Sequence, residues 1–367
     1  MPVYNFAAGP AVMPASVIAQ IGTEMASLNG SGMSILEVSH RGRDFDAIIR
    51  EAEANLRTLM HIPDDYAVLF MQGGGTGQFA AAPLNLATTN RRIAVLDSGQ
   101  WAVKAAEEAT KLGVAVDVLA STKAQQYAQL PNLAAPMRQN HYDYLHVCVN
   151  NTIEGTMFRQ LPDAGATPIV ADMSSNILAQ EYDVRDFGMI FAGAQKNLGP
   201  AGVTVVIVRK NLVKQVPGLP SMLDYQLFMT KRSLSNTPPV FAIYAVNLVL
   251  RWVITQGGVA AMQRRNEVKA GKLYAFLDES HLFHSLVHRG DRSLTNVTFT
   301  TGDADLDAKA VRAASAEGLM NLAGHRIVGG LRASLYNAMP LAGVTALIDF
   351  LNDFEQHNQL EENKCIK

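Results

Sequence analysis

The sequence lacks the features that mark secreted, membrane-spanning and nucleic-acid-binding proteins. Its 367 residues include only two cysteines, Cys148 and Cys365, too few for a disulfide framework, so we expect two free thiols. The formal net charge of −2 provides no bulk basic field for nucleic acid or a membrane surface. The longest apolar run, Val240 to Ile254, contains Asn247 and Arg251 and is too short to cross a bilayer.

The first residues also lack a targeting signal, because Met1 to Pro14 has no basic stretch followed by a long apolar one. These absences predict a cytoplasmic protein that binds neither nucleic acid nor membrane, and any anion site must come from a local cluster of cations. We single out no metal site. A composition of 48% hydrophobic and 17% charged residues is typical of a globular protein, and the length suggests two domains.

Short apolar runs alternate with helical patterns through the first two thirds of the chain. The runs are rich in Val, Ile and Leu without strict polar alternation, which favours strands buried on both faces. Helical patterns such as Gln78–Leu86 and Trp101–Lys111 lie between them. This rhythm predicts an α/β fold with a mainly parallel sheet covered by helices. The predicted strands are Ala67–Met71, Ile93–Leu96, Val114–Leu119, Tyr144–Val149, Pro168–Ala171, Met189–Ala192 and Val203–Val208.

The pattern changes near Gly257-Gly258, where a mixture of helices and strands begins. We therefore predict a large domain over residues 14–257 and a smaller α+β domain over residues 258–367, with residues 1–13 packing on the smaller one. The elements predicted after the change are a helix (Val259–Leu277), a strand (Asn296–Thr300), a helix (Leu306–Glu317), a strand (Leu331–Leu335), a helix (Leu341–Gln356) and a frayed tail (Glu361–Lys367).

A glycine-rich loop follows the first predicted strand and precedes a helix. Residues 73–77 read Gly-Gly-Gly-Thr-Gly. Glycines allow the backbone to approach a ligand closely, and a helix N-terminus offers free N–H groups to a phosphate. The loop is therefore a candidate phosphate site, with a ligand-free connection as the alternative. It is no P-loop and fits the dinucleotide-binding spacing poorly.

Two ionisable side chains stand at the ends of later strands. Asp172 follows the apolar run 168–170, where an acid points into the ligand crevice of a parallel sheet, although it could instead cap a helix that starts at Ser174 or Ser175. Lys196 lies between a strand end and a Gly-Pro turn. Most lysines are solvated surface charges, but a partly desolvated lysine can form a Schiff base.

Together, these three features indicate a pyridoxal-phosphate site. Such an enzyme needs a phosphate cradle, a carboxylate against the pyridinium nitrogen and a lysine that binds the cofactor covalently. Trp101, at the start of a helix, adds a flat surface that could stack on the ring, or it could be an ordinary packing residue.

Cations occur in two further segments, His40-Arg41 and His325-Arg326 with Arg332. Arginine forks suit carboxylates and phosphates. Each of these residues alone is more often a surface residue, but Arg332 lies in an apolar strand pattern, where a buried charge needs a partner.

From about Val3 to about Phe354 the chain resembles the phosphoserine aminotransferase family, in the class V group of fold-type I pyridoxal-phosphate enzymes. The resemblance is carried, in the family's order, by residues 5–10, 37–41, 73–79, 193–197, 236–239 and 324–339. It implies pyridoxal 5'-phosphate as cofactor, a mainly parallel seven-stranded sheet in the large domain, and a homodimer with shared active sites.

The implied reaction transfers an amino group between glutamate and 3-phosphohydroxypyruvate, giving 2-oxoglutarate and phosphoserine, in serine biosynthesis. A related phosphorylated substrate of vitamin B6 synthesis, 4-phosphohydroxy-L-threonine, is a second candidate.

The resemblance also implies a role for each candidate residue at the cofactor. Lys196 carries the cofactor, Asp172 contacts the ring nitrogen and Trp101 stacks on the ring. Asn236 and Thr237 reach the cofactor phosphate of the other subunit. The residues expected to bond cofactor oxygens within the subunit are Gly75, Thr76, Thr152, Ser174 and Gln195.

At the substrate, Arg332 is expected to bind the α-carboxylate. The residues expected at the distal phosphate are His40, Arg41, His325 and Arg326, of which His40 and the His325-Arg326 pair are candidates to come from the partner subunit. Two positions depart from the family's pattern: Thr76 stands where some relatives carry Arg, and Ser235 replaces a bulkier residue.

Two alternatives remain from the sequence. The first is another class V transaminase or lyase, acting on alanine and glyoxylate or on cysteine sulfur. The second is a cofactor-free nucleotide-binding or regulatory protein on a doubly wound sheet, which would leave Lys196 and Asp172 unexplained.

Overall fold

The computed structural model describes residues 2–133, 137 and 141–365. The strands of this part are β1 (Tyr4–Asn5), β2 (Tyr66–Met71), β3 (Arg92–Asp97), β4 (Ala115–Ser121), β5 (Leu145–Cys148), β6 (Ile169–Asp172), β7 (Met189–Gly193), β8 (Thr204–Arg209), β9 (His284–Ser285), β10 (Asn296–Thr300), β11 (Leu319–Met320) and β12 (Leu331–Ser334).

Helices cover much of the remainder of the described chain. They are α1 (Ala15–Glu24), α2 (Arg43–Met60), α3 (Gly74–Leu86), α4 (Gln100–Lys111), α5 (Tyr225–Thr230), α6 (Val240–Thr255), α7 (Gly258–Glu279), α8 (Ala304–Ala316) and α9 (Leu341–Cys365).

Seven strands form one sheet in the order β2-β8-β7-β6-β5-β3-β4. Only β8 runs against its neighbours. The predicted mainly parallel sheet is therefore confirmed, and each predicted strand lies within two residues of an observed one. Because parallel strands end at the same edge, the residues after β2, β3, β5, β6 and β7 all meet there.

Both faces of this sheet are covered by helices. Along β2, Val68 and Phe70 pack into the cluster that includes α2 and α6, whereas Leu69 and Met71 pack into the cluster that includes α3 and α4. This alternation follows from the two-residue period of a strand. It explains why the strand sequences are apolar throughout.

Strand β4 is the exception, and the expectation that every strand is buried on both faces is wrong there. Val118 is 54% exposed and Leu119 is 36% exposed. The strand is the last of the sheet order and pairs only with β3, and α4 is the one described helix that packs substantially against it, whereas β2 at the other end is covered on both faces.

The C-terminal region, residues 258–365, contains a separate antiparallel sheet in the order β12-β10-β9. The chain's beginning joins this region, since β1 pairs in parallel with β11 and Phe6 is fully buried in the same cluster as Val297 and Leu331. The final helix was predicted to end at Gln356 but continues to Cys365, so the expected frayed tail from Glu361 is wrong up to that residue. Residues 366 and 367 lie outside the described part.

Within the described residues, no single helix combines the length and the apolar character needed to span a membrane. Helices α6 and α7 meet both criteria only when taken together, and the chain bends by 81° between them.

Candidate active site

Lys196 lies in the turn after β7, at the carboxyl edge of the sheet. Its side chain is half-buried, and its amine makes no hydrogen bond or ion pair with any residue that the structure describes. Desolvation lowers the pKa of this amine, and the attraction of Asp172 opposes that shift. A desolvated amine without a hydrogen-bond acceptor is suited to nucleophilic chemistry.

Asp172 is the last residue of β6 and is buried. Its Oδ1 accepts a hydrogen bond from the Ser174 backbone N–H at 2.9 Å. Its Oδ2 lies 3.9 Å from the point where a Cβ on Gly75 would be. The alternative prediction, that Asp172 caps a helix starting at Ser174 or Ser175, is wrong because residues 174–179 form turns. The contact with the Ser174 backbone uses only Oδ1 and leaves Oδ2 for a ligand.

The glycine loop runs into the N-terminus of α3. Gly73 and Gly74 have φ values of 94° and 64°, a conformation that side chains other than glycine rarely adopt. A Cβ on Gly75 would lie 3.3 Å from Ser174 Oγ, so a side chain there would fill the space beside Asp172. The first amides of α3 have no partner within the helix, which is the arrangement that binds phosphate.

Trp101 is the second residue of α4, and its ring faces Lys196. The indole Nε1–H donates to Thr152 Oγ1 at 2.9 Å, which fixes the ring plane. Lys196 Nζ lies 5.7 Å from the ring centroid, and Lys104 Nζ lies 4.6 Å from it. The structure therefore brings Trp101, Thr152 and Lys196 together.

The segment before Pro14 also reaches this site. The Ala11 N–H donates to the Gln195 carbonyl at 2.9 Å, and a Cβ on Gly9 would lie 3.4 Å from Lys196 Cγ. Sequence reasoning used residues 5–10 only as a mark of resemblance and missed their place against Lys196.

Arg332, on β12, brings a cation from the C-terminal region. Its Nη1 donates to the Thr152 carbonyl at 2.9 Å, and no described carboxylate forms an ion pair with it. Burial lowers the pKa of its guanidinium, while Tyr336 and Glu154 oppose that shift. An accessible arginine without an acid partner is suited to bind a ligand carboxylate.

Further cations gather around His325. Burial lowers the pKa of its imidazole, and the positive charges of Arg332, Arg326 and Lys104 lower it further. Lys104 was missed by sequence reasoning. The only signal was its position three residues after Trp101, on the same face of a helix.

No hydrogen bond or ion pair within the described chain joins the remaining predicted residues to Lys196. His40 and Arg41 lie between residue 37 and the start of α2. Asn236 Nδ2 donates to Gln72 Oε1 at 3.2 Å, so the 236–237 turn lies beside the residue that precedes the glycine loop. Thr76, in the first turn of α3, is the fourth residue of that loop.

Cys148 is 1% exposed within β5, and burial raises the pKa of its thiol well above the usual range. A buried neutral thiol is a poor nucleophile. This position argues against Cys148 as the nucleophile of a reaction on cysteine sulfur.

The fold and the Lys196 site agree with the comparison against protein families. The aminotransferase class-V family matches residues 3–347, and the chain belongs to this family.

Full-length relatives define the branch of the family. The chain is 58% identical to phosphoserine aminotransferase of Lactobacillus helveticus, over 98% of this chain and 96% of the relative. The solved phosphoserine aminotransferase from Bacillus circulans subsp. alkalophilus is 43% identical, with a TM-score of 0.94 over 97% of this chain and 99% of that one.

A PLP-bound phosphoserine aminotransferase from Trichomonas vaginalis is 37% identical, with a TM-score of 0.89 over 96% of this chain and 100% of that one. The chain therefore lies among the phosphoserine aminotransferases within the class-V family.

Proposed function

We propose that this chain is a pyridoxal-phosphate-dependent aminotransferase that moves an amino group between glutamate and 3-phosphohydroxypyruvate. The observation that carries the proposal is the meeting of Lys196, Asp172 Oδ2 and the glycine-lined start of α3 at one edge of the sheet, beside cations that have no acid partner among the described residues. The names of the full-length relatives support the choice of substrate.

The residues present fit the proposed cofactor. The space kept open by the missing Cβ of Gly75 lies between the start of α3 and the carboxylate of Asp172. Asp172 Oδ2 would face the ring nitrogen, Trp101 would cover the ring, and Ser174 and Gln195 with the first amides of α3 would hold the phosphate. When bound, pyridoxal phosphate supplies an electron sink for the negative charge that develops on the substrate α-carbon.

Lys196 moves the proton in this proposal. In its neutral form the Lys196 amine would take the proton from the substrate α-carbon, hold it on Nζ and give it up again in the later step of the transfer. The lowered pKa of the amine favours the neutral form that can accept a proton. Asp172 Oδ2 would accept a charge-assisted hydrogen bond from the ring nitrogen and would thereby keep that nitrogen protonated.

Arg332 orients the substrate through the α-carboxylate, which both substrates share. The contact between Arg332 and the Thr152 carbonyl fixes the guanidinium beside the residue that also bonds Trp101. The cations around His325, together with Arg41 and His40, would bind the distal anion, which is a phosphate in one substrate and a carboxylate in the other.

The direct experiment mixes the cofactor-loaded protein with glutamate and 3-phosphohydroxypyruvate and measures 2-oxoglutarate and phosphoserine. We expect turnover with this pair to exceed turnover with alanine and glyoxylate by several orders of magnitude. Equal or greater activity with alanine and glyoxylate would favour the other class V reaction.

We also propose that the chain works in the cytoplasm as a homodimer in which Asn236 and Thr237 of each subunit serve the cofactor phosphate of the other. The position of this turn beside Gln72 and the buried, unpartnered Oδ1 of Asn236 within the described residues support the proposal. Light scattering under assay conditions tests it, and a fully active monomer would contradict it.

A further inference from the structure

Glu154 is a buried carboxyl group for which the proposed reaction has no use. It lies in the loop after β5 and is 4% exposed. Its Oε1 accepts a hydrogen bond from the backbone N–H of Gln100 at 2.8 Å, whereas its Oε2 has no hydrogen-bond partner among the described residues. Burying a carboxyl group with one unpaired oxygen is unfavourable, so another role must account for this residue.

The space beside helix α4 is shaped to admit this carboxyl group. A Cβ on Gly99 would lie 2.7 Å from both Cδ and Oε2 of Glu154, a separation that real Cβ atoms do not show. Position 99 therefore excludes a side chain. The carboxyl group is seated against the two residues that immediately precede Trp101 in the chain.

The loop that carries Glu154 holds the same region at two other points. Thr152 Oγ1 accepts from the Trp101 indole N–H at 2.9 Å, and the Thr152 carbonyl accepts from Arg332 at 2.9 Å. The Glu154 carbonyl accepts from Thr298 Oγ1, on β10 of the C-terminal region, at 2.8 Å. Residues 152–154 thus connect the start of α4 to the sheet that carries Arg332.

We propose that Glu154 is a positioning residue that fixes the start of helix α4, and thereby the plane of the Trp101 ring over Lys196 and its relation to Arg332. The side-chain bond to Gln100 holds the backbone, and the Thr152 bond holds the indole. Rotation of the ring on a fixed backbone would break the Thr152 bond, and displacement of the backbone would break the Gln100 bond. The inference rests on the proposed function only where it assigns the Trp101 ring to the cofactor.

The charge of Glu154 is not needed for this role. Burial raises the pKa of Glu154 to about 7, Asp97 adds to the shift, and the Gln100 N–H and Arg332 oppose it. The carboxyl group is therefore protonated for much of the time near neutral pH. An amide of the same shape retains the acceptor for the Gln100 N–H, so Glu154→Gln should preserve the ring position.

The test measures how accessible the Trp101 ring is to a quencher in the protein without cofactor. The chain has two tryptophans, Trp101 and Trp252, so a Trp252→Phe background isolates the fluorescence of Trp101. In this background we expect Glu154→Ala to raise the acrylamide quenching constant of Trp101 by about twofold or more, since the broken hydrogen bond frees the helix start. Glu154→Gln should leave the constant at the parent value.

Activity of the loaded enzyme gives a second readout. We expect Glu154→Ala to lower kcat by roughly tenfold, the order of one hydrogen bond, with a smaller change in KM for glutamate. The visible circular dichroism of the bound cofactor should weaken in parallel. Glu154→Gln should restore both signals.

The matched control is Glu355→Ala in the C-terminal region. Glu355 is 8% exposed and accepts from the His281 backbone N–H at 2.8 Å, so it is also a buried glutamate that holds a backbone amide. We expect this variant to lose stability without any change in Trp101 quenching or kcat.

Equal quenching in the parent and Glu154→Ala would overturn the proposal, and so would equal changes in Glu154→Ala and Glu355→Ala. If Glu154→Ala does not fold, Glu154→Asp replaces it, because the shorter side chain withdraws the acceptor from Gln100. A parent-like Trp101 signal in that variant would likewise contradict the proposal. Absence of transamination in the parent would remove the proposed function while leaving the quenching test intact.

Discussion

Two regions of the molecule each hold a desolvated lysine amine, but only one of them supplies hydrogen-bond acceptors for it. Lys269, on α7, is 3% exposed and donates to the carbonyls of Leu335 and Tyr336 at 2.8 and 2.7 Å. Lys196 has no hydrogen-bond acceptor or ion-pair partner among the described residues. Desolvation lowers the pKa of both amines.

The difference distinguishes an amine with a structural role from an amine suited to react. The two hydrogen bonds of Lys269 replace lost hydration and join α7 to the chain that follows β12, as buried polar groups generally require. Lys196 lacks this compensation and faces the aromatic ring of Trp101 and the backbone at Gly9. A half-buried, desolvated amine without partners, at the carboxyl edge of a parallel sheet, is a better indication of function than burial or a shifted pKa alone.

The largest difference should appear when each of the two lysines is removed in turn. Lys196→Ala should reduce transamination by about a thousandfold or more, since it removes the group that moves the proton, while the protein stays folded. Lys269→Met should leave kcat within about threefold, because it removes a packing and hydrogen-bonding group outside the site. Single-turnover spectra of both variants decide the matter, and near wild-type turnover in Lys196→Ala would exclude the proposed role.

Asp172→Asn should retain the cofactor and lower kcat by about one to two orders of magnitude. The amide has nearly the same shape, but it cannot stabilise a protonated ring nitrogen as a carboxylate does. Visible absorbance measures cofactor retention, and steady-state assays measure kcat. An unchanged rate with cofactor bound would mean that Asp172 serves only the Ser174 backbone.

Removal of Arg332 and removal of Arg41 should affect the two substrates differently. Arg332→Ala should damage the glutamate and phosphoserine half-reactions by similar factors, because both substrates carry the α-carboxylate. Arg41→Ala should affect phosphoserine more, by about one to two orders of magnitude in kcat/KM, because a phosphate offers more charge and more acceptor oxygens.

Separate single-turnover measurements of each half-reaction test this division. Equal losses for both substrates in Arg41→Ala would remove Arg41 from the distal-phosphate site. Wild-type rates in both half-reactions would make Arg41 a surface residue.

The smallest effect concerns the stability contributed by Lys269. Lys269→Met leaves two buried carbonyls without their donor, so we expect the free energy of unfolding to fall by about 1–3 kcal/mol at alkaline pH. Urea titrations followed by circular dichroism measure it. No loss of stability at alkaline pH would show that water or other donors satisfy these carbonyls.

The same variant should change the pH dependence of stability. Burial, together with the positive charge of Arg265, lowers the pKa of Lys269 from an ordinary value of 10.5 to about 7. Between these values the unfolded chain binds a proton that the folded chain has released, so the contribution of Lys269 to stability rises as pH rises through this window. The stability of Lys269→Met should therefore rise less steeply than that of the parent between about pH 7 and pH 10. Parallel curves would contradict the assigned pKa.

Local sequence patterns predicted the fold well where the signal was local. The runs of Val, Ile and Leu placed all seven strands of the large sheet to within two residues. The exposure of Val118 and Leu119 was not predicted, because the edge position of β4 depends on the order in which distant strands pair. Helix α9 was underestimated because its polar last turns resemble a tail.

The site residues were likewise predictable where they follow a strand. Lys196, Asp172 and Gly75 follow strands, so the rule for parallel sheets brings them together, and the structure places Asp172 beside Gly75. Glu154 and Lys104 were missed, because an acid and a lysine in polar segments look like surface charges until the fold places Glu154 against Gly99 and Gln100 and Lys104 over the Trp101 ring. The roles of His40, Arg41, Asn236 and Thr237 stay predictions, because they depend on a second subunit.

The account depends most on the assignment of the cofactor to Lys196 rather than to Lys269 or another amine. Borohydride reduction of the pyridoxal-phosphate-loaded protein, followed by proteolysis and mass spectrometry, fixes the cofactor on the lysine that holds it and locates that lysine. The account predicts one modified peptide, carrying the cofactor mass on Lys196, and loss of the visible absorption band. Modification of Lys269, or of several surface lysines with Lys196 unmodified, would contradict it.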